Sequence, residues 1–315
     1  MLLPDLNVAL LAVHPVAQVG WTNWTIHWST VIGLAVLGGL YERGARHVQQ
    51  RARSAGADVP TLGRGQRVAF YSALFIIFAS LNGPLHDLSD YYLFSAHMVQ
   101  HLLLSLAMPP LMLVGTPGWL LRPLLEKRWI AGIARAVTPP IRCFIIFNVV
   151  IALWHLPPLY NTAMEYHPVH IVQHLTFMAA SVLMWWPFLS PLPELPRLAY
   201  PGQMLYCFLM VIPMSIIAIY IAMADHVLYP AYSIAPRLWG ITPLSDQQIG
   251  GLIMWVPGGL LFYVVMTVVF FKWAGRDTDT TEGAQVDWRP SARPARPANV
   301  PRPAVTVRQD RSSSY

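Results

Sequence analysis

His97-Met98-Val99-Gln100-His101 and His170-Ile171-Val172-Gln173-His174 are near-copies seventy-three residues apart, and each opens a long apolar stretch. Histidines four apart lie on one face of a helix, one turn above each other. Imidazole nitrogen ligates copper, zinc, iron or nickel, and an ionisable pair inside an apolar helix is costly unless it has a task or a partner. Two such pairs predict two helix faces meeting across a bundle. A metal site is the leading chemistry for them. A hydrogen-bonded network that joins helices is the plain alternative, and haem held by axial histidines from facing helices is a third.

The elements that must carry these residues follow from composition. Of the 315 residues 55% are hydrophobic and 11% charged, against about 25% charged in soluble domains. Several apolar runs reach the ~20 residues that cross a bilayer. The fold class expected is all-α: a polytopic membrane bundle with seven spans, at about Trp24–Tyr41, Val68–His86, Tyr91–Gly115, Ile141–Pro158, His167–Leu189, Gly202–Ala224 and Gln248–Trp273. Pro109, Pro110, Pro213 and Pro257 fall inside these spans; in a bundle, neighbouring side chains can satisfy the carbonyls that proline frees. Gly258-Gly259 after Pro257 predicts a kink or close packing.

Charge sets the orientation. Arg43, Arg46, Arg51, Arg53, Arg64 and Arg67 follow the first span; Arg122, Lys127, Arg128, Arg135 and Arg142 follow the third; Arg197 follows the fifth and the remainder the seventh. Every Lys and Arg except Arg237 then lies on one side, which the positive-inside rule makes cytoplasmic. The N-terminus is expected outside and the C-terminus inside, and the net charge of +6 reads as topogenic and lipid-facing, with no nucleic-acid partner. Residues 1–20 are read as an outer or interfacial segment rather than a removed signal peptide, residues 21–273 as the transmembrane domain, and the Arg- and Pro-rich stretch 274–315 as a disordered cytoplasmic tail.

In this frame every histidine but His47 lies opposite the arginines. His101 is ten residues in from Tyr91, roughly 15 Å deep at ~1.5 Å per residue, and His174 is seven in from His167, roughly 10 Å. The two pairs can therefore meet. Span two ends at His86 before the first pair, and span four ends at His155 before the second, so two parallel hairpins look like copies; Asp225-His226 and Asp246-Gln247-Gln248 hint at a third. The candidate metal ligands are His97, His101, His170 and His174, then His155 and His86, with His226 and Asp246 weaker. Asp87, Glu165, Asp225 and Asp246 are candidates to orient the rings. Met98, Met164, Met223 and Met254 sit toward the same side, although methionine is common packing filler. His14, His27 and His47 read as surface or interfacial residues.

Other chemistries lack parts. Cys143 and Cys207 fall at cytoplasmic span ends, so an outer site must use nitrogen, oxygen and thioether donors. There is no HExxH, no glycine-rich phosphate loop and no favoured Ser-His-Asp set, so no enzyme is expected. No acidic residue stands deep in a span, which weakens an ion-driven transporter.

At His97–His101, Trp154-His155-Leu156-Pro157-Pro158-Leu159-Tyr160, His170–His174 with Trp185-Trp186-Pro187, and Asp246-Gln247-Gln248-Ile249-Gly250-Gly251-Leu252-Ile253-Met254-Trp255, the chain resembles the CtaG family of cytochrome c oxidase assembly proteins, over roughly residues 65–273. The resemblance implies a seven-helix protein of the bacterial plasma membrane, needed to build haem-copper oxidase, with oxidase subunits as partners and a link to copper, possible copper chaperones included. A different protein type that shares the name delivers copper through a cysteine pair, which this chain lacks. Copper transport across the membrane and a haem-binding redox protein are the rival functions.

Overall fold

The computed structural model describes residues 25–284, with side chains to Arg276. The expected outer segment, His14 and the tail beyond Ala284 lie outside the described residues. What is described is helical, with no strand. The helices are α1 (Trp28–Ser54), α2 (Arg64–Leu81), α3 (Pro84–Tyr91), α4 (Phe94–Leu102), α5 (Met108–Gly115), α6 (Gly118–Leu125), α7 (Arg128–Val137), α8 (Pro140–His155), α9 (Pro157–Glu165), α10 (His167–Leu189), α11 (Tyr200–Ala222), α12 (Pro230–Ser233) and α13 (Pro243–Ala284). A π-helical turn, Leu103–Ala107, joins α4 to α5.

Four stretches are long and apolar enough to cross a bilayer: Phe94–Gly115, α10, α11 and the α13 segment Pro243–Arg276. The number rises to six when α2 with α3, bent by 46°, and α7 with α8, bent by 77°, each count as one. The chain is thus a membrane helix bundle, but the first of the seven expected spans does not qualify. Its apolar part ends near Tyr41 and gives way to Glu42, Arg43 and Arg46 within α1, short of the ~20 residues a crossing takes.

The breaks follow a rule in the sequence. Pro84, Pro157 and Pro230 stand at equal intervals, and each opens a short helix ahead of a long one: α3 before α4, α9 before α10, α12 before α13. Proline suits the first turn because its missing N–H has no partner there anyway. The three short helices carry Asp90, Tyr160 and Tyr232, and all three side chains reach the same interior region.

α10 lies at the centre, packed on α5, α8 and α9 as well as on the π-turn. The core holds Phe147, Phe177, Met184, Met210 and Phe262, all at most 2% exposed, while Phe75, Ile141, Ile216, Leu260 and Phe271 stay on the outside, as a lipid-facing surface requires. The proline expectation is met at one resolved point. Pro109 cannot donate to the Ser105 carbonyl four residues earlier, and Trp185 Nε1–H donates to that carbonyl at 3.1 Å instead. The π-turn sits just after His101, a common place for such bulges beside functional residues. Gly258 lies against the Met214 thioether, so the close packing expected after Pro257 is present.

α2 crosses α5 at Gly115, where a Cβ would meet the Phe70 nitrogen at 2.5 Å and its Cα at 2.7 Å. The Tyr41 hydroxyl also donates to the Gly115 carbonyl at 2.8 Å. Because backbone cannot yield there, Gly115→Ala is expected to cost about 1–3 kcal/mol, read as a lowered Tm in detergent. An unchanged Tm would mean the crossing is looser than it looks.

Candidate metal centre

Histidines from three helices, α4, α8 and α10, converge beside α3. His97, His101, His155, His170 and His174 are each at most 6% exposed. Ring centroids of His101 and His174 are 5.7 Å apart, those of His97 and His170 5.7 Å, and those of His101 and His155 5.8 Å. The structure thus brings together the two i, i+4 pairs from α4 and α10 together with His155 from the end of α8.

Protonation can be assigned from the hydrogen bonds. His155 Nδ1 lies 2.7 Å from the Ile151 carbonyl, which accepts only, so Nδ1 carries the proton and Nε2 the lone pair. The Tyr232 hydroxyl donates to the Ser89 carbonyl at 2.7 Å, lies 2.9 Å from the Tyr160 hydroxyl and 3.3 Å from His97 Nδ1. Its one proton being spent on Ser89, it accepts from Tyr160 and from His97 Nδ1–H. That leaves the His97 lone pair on Nε2, 2.8 Å from His101 Nε2. Fixing the outer ring nitrogen in this way is how ligating histidines are oriented.

Several nitrogens in this buried region have no protein partner: His101 Nδ1, His155 Nε2 and both nitrogens of His174. An unmet buried polar group costs about 1–3 kcal/mol, and four such nitrogens lie together here. Asp90, His97 and His170 each offer one ligand atom, all within 4.8 Å of one another.

Asp90 is the residue that sequence reasoning missed. Its Oδ2 lies 3.4 Å from His86 Nε2 and 3.5 Å from His170 Nδ1, and the Ser89 hydroxyl lies 3.0 Å from its Oδ1 and 2.8 Å from the His86 carbonyl. His86, expected as a ligand, has its other nitrogen 3.3 Å from Gln100 Nε2, and that amide also donates to the Ser80 carbonyl at 2.5 Å. Both His86 nitrogens are therefore engaged, and its part here is to hold Asp90. The signal was available: Asp90 stands four residues after His86, on the same helical face. His27, read as a surface residue, packs its ring at 4.5 Å from that of His86 and joins the rim.

The carboxylates expected to orient rings do other work. Asp246 caps α4, accepting from Phe94 N at 2.6 Å and from Ser95 N at 3.1 Å. Asp87 accepts from Thr25 Oγ1 at 2.9 Å. Asp225 pairs at 2.7 Å with His226, and both side chains are exposed; Glu165 is exposed as well. Asp246→Ala should therefore cost about 0.5–2 kcal/mol as a lost cap, seen in thermal unfolding, and leave metal content unchanged. Loss of metal without loss of stability would return it to the ligand set. Of the methionines, Met164 has its sulfur 3.9 Å from the Tyr232 hydroxyl, while Met223 is 76% exposed. Both cysteines are buried and free.

Uncharacterized proteins of Mycobacterium bovis and Mycobacterium tuberculosis are each 25% identical over 201 residues, 59% of this chain and 30% of theirs. One of Mycobacterium leprae is 25% identical over 244 residues, 72% of this chain and 36% of its own. The chain spans about a third of the length of these curated relatives. No solved structure matches. The family described as cytochrome c oxidase caa3 assembly factor (Caa3_CtaG) matches residues 39–276, a stretch that holds both histidine pairs, His155 and the three short helices, and the chain belongs to that family.

Proposed function

We propose that this protein serves cytochrome c oxidase assembly by receiving copper at the buried histidine cluster and passing it to an oxidase subunit. The observation that carries the reading is the set of lone-pair nitrogens on His97, His101, His155 and His174, buried together and lacking protein partners in three of the four rings. Copper is the cargo here, and the donors suit it. Neutral imidazoles predominate, one carboxylate stands behind them, and a thioether is close by, with no thiolate at hand. Two imidazole nitrogens bound at ~2.0 Å to one ion at right angles are ~2.8 Å apart, the spacing of His97 and His101 Nε2. An ion replacing the shared proton need not move the rings far.

The arrangement favours receipt over passage. Beyond the cluster the His101 ring stacks on Phe177 at 4.5 Å, and the interior continues as Met184, Met210 and Phe262, with no imidazole to continue a path. In the reading proposed, the arginine-bearing ends face the cytoplasmic side of the bacterial plasma membrane, and the cluster opens toward the outer face, where metal and chaperones are met. No bond-making chemistry is asked of the protein.

Cells lacking the chain test this. Wild-type protein should restore oxidase activity, and a His97→Ala/His101→Ala variant of equal abundance should not, with added copper recovering part of the loss. Full restoration by the variant would refute the cluster's role. Net copper uptake into proteoliposomes, without oxidase, would instead establish transport.

A further inference from the structure

A cavity of about 380 Å³ lies beside the cluster, between α1, α2 and α10. Imidazoles (His27, His86, His167, His170 and His174) and the hydroxyl residues Ser29 and Thr30 share its lining with apolar side chains such as Leu34, Ile77 and Leu175. Its mouth is on the side of the bundle, where Ile171 and Leu175 are 41% and 57% exposed, so in a membrane it opens to lipid rather than to water. Such a lining, apolar side chains with hydrogen-bonding groups among them, is what binding sites for amphiphilic small molecules have.

His174 says what the polar lining requires. A histidine that binds metal through one nitrogen needs an acceptor for the N–H on the other. His155 has the Ile151 carbonyl, His97 the Tyr232 hydroxyl and His170 the Asp90 carboxylate. His101 Nδ1 and both nitrogens of His174 have no such acceptor, and of these two rings it is His174, 6% exposed, that lines this cavity. The acceptor must then come from whatever fills the cavity. No Lys or Arg lines it, so no permanent positive charge there matches the phosphate of a phospholipid. We propose that the cavity binds a membrane-dissolved quinone, its ring carbonyl accepting from His174 and its tail leaving along α10 into the bilayer. The inference rests on the metal reading for which His174 proton is left over; the cavity itself stands on the structure.

Gly33 lies on the α1 wall with open space where a side chain would grow, and Leu175 lies on the α10 wall. Purified full-length protein in detergent should bind a decyl-tailed benzoquinone saturably. Gly33→Trp and Leu175→Trp should each weaken it tenfold or more, and both should keep their copper. With a carbonyl-labelled quinone, the infrared band should move down on binding and fail to do so in His174→Ala. Absence of saturable binding, equal binding by both tryptophan variants, or a co-purifying phospholipid expelled by them would overturn the proposal. Copper measured on the same samples separates the two readings, since wild-type protein that holds copper but binds no quinone sinks this one alone.

Discussion

Replacing His101 by alanine is expected to lower copper affinity by about 100-fold or more, with the bundle still assembled. Residues that only orient a ligand typically cost 10–100-fold when changed, so a residue that supplies a ligand should reach at least the top of that range. His101 is the sharpest choice because its Nε2 faces that of His97 at 2.8 Å and its ring also closes on His174 and His155. Competition against a coloured Cu(I) chelator reads the change directly. The ring packs on Phe177 as well, so thermal unfolding of the same variant must be followed to separate a lost ligand from a lost contact. A shift below tenfold in a folded variant would count against a metal centre here and favour a network that only ties α4 to α8 and α10.

The second large effect belongs to Asp90. Its carboxylate holds the His86 and His170 imidazoles at 3.4 and 3.5 Å, so one change disturbs α3, α10 and the ring orientation together. Asp90→Asn keeps the shape but removes the charge and leaves a single carbonyl oxygen for two N–H groups. Copper affinity should fall about 10–100-fold, and oxidase activity in cells should fall with it. Asp225→Asn is the matched control: that residue also pairs with a histidine, at 2.7 Å, but both are exposed, and exposed pairs contribute little. If Asp90→Asn binds copper as tightly as wild type, the carboxylate is a structural tie alone.

The contrast between these two residues explains what could be read beforehand. His97, His101, His170 and His174 were legible because spacing of four puts ring above ring on any helix, and because imidazoles in apolar stretches have few other uses. His155 was legible from the repeat, as the counterpart of His86. Asp90 was not, because it falls between two spans drawn as straight helices, whereas α3 is a separate short helix turned by 46° from α2. That turn is what carries the carboxylate inward. Tyr160 and Tyr232 sit on the equivalent short helices α9 and α12. Composition gave no reason to look for polar side chains there, since tyrosine is common at membrane boundaries; the role comes from a three-way contact among residues far apart in the chain, Ser89, Tyr232 and His97.

The fold shows the same division. Apolar runs marked the long helices α10 and α11 closely, because hydropathy over ~20 residues is a strong signal. Breaks inside or beside spans left only weak marks, chiefly Pro84, Pro157 and Pro230, whose equal spacing becomes meaningful once the short helices are seen. The π-turn after His101 is of the same kind. Its cause, Pro109 and Pro110, was visible, but the partner that relieves it, the Trp185 indole from α10, is a tertiary fact.

The central claim is that imidazoles from α4, α8 and α10 together hold copper. X-ray absorption at the copper edge, on wild-type protein loaded with one equivalent, tests it most directly. The account predicts nearest neighbours that are nitrogen or oxygen, with the outer-shell scattering of at least two imidazoles, and loss of that pattern in His97→Ala/His101→Ala. A dominant sulfur shell, or copper whose surroundings are the same in wild type and variant, would contradict it.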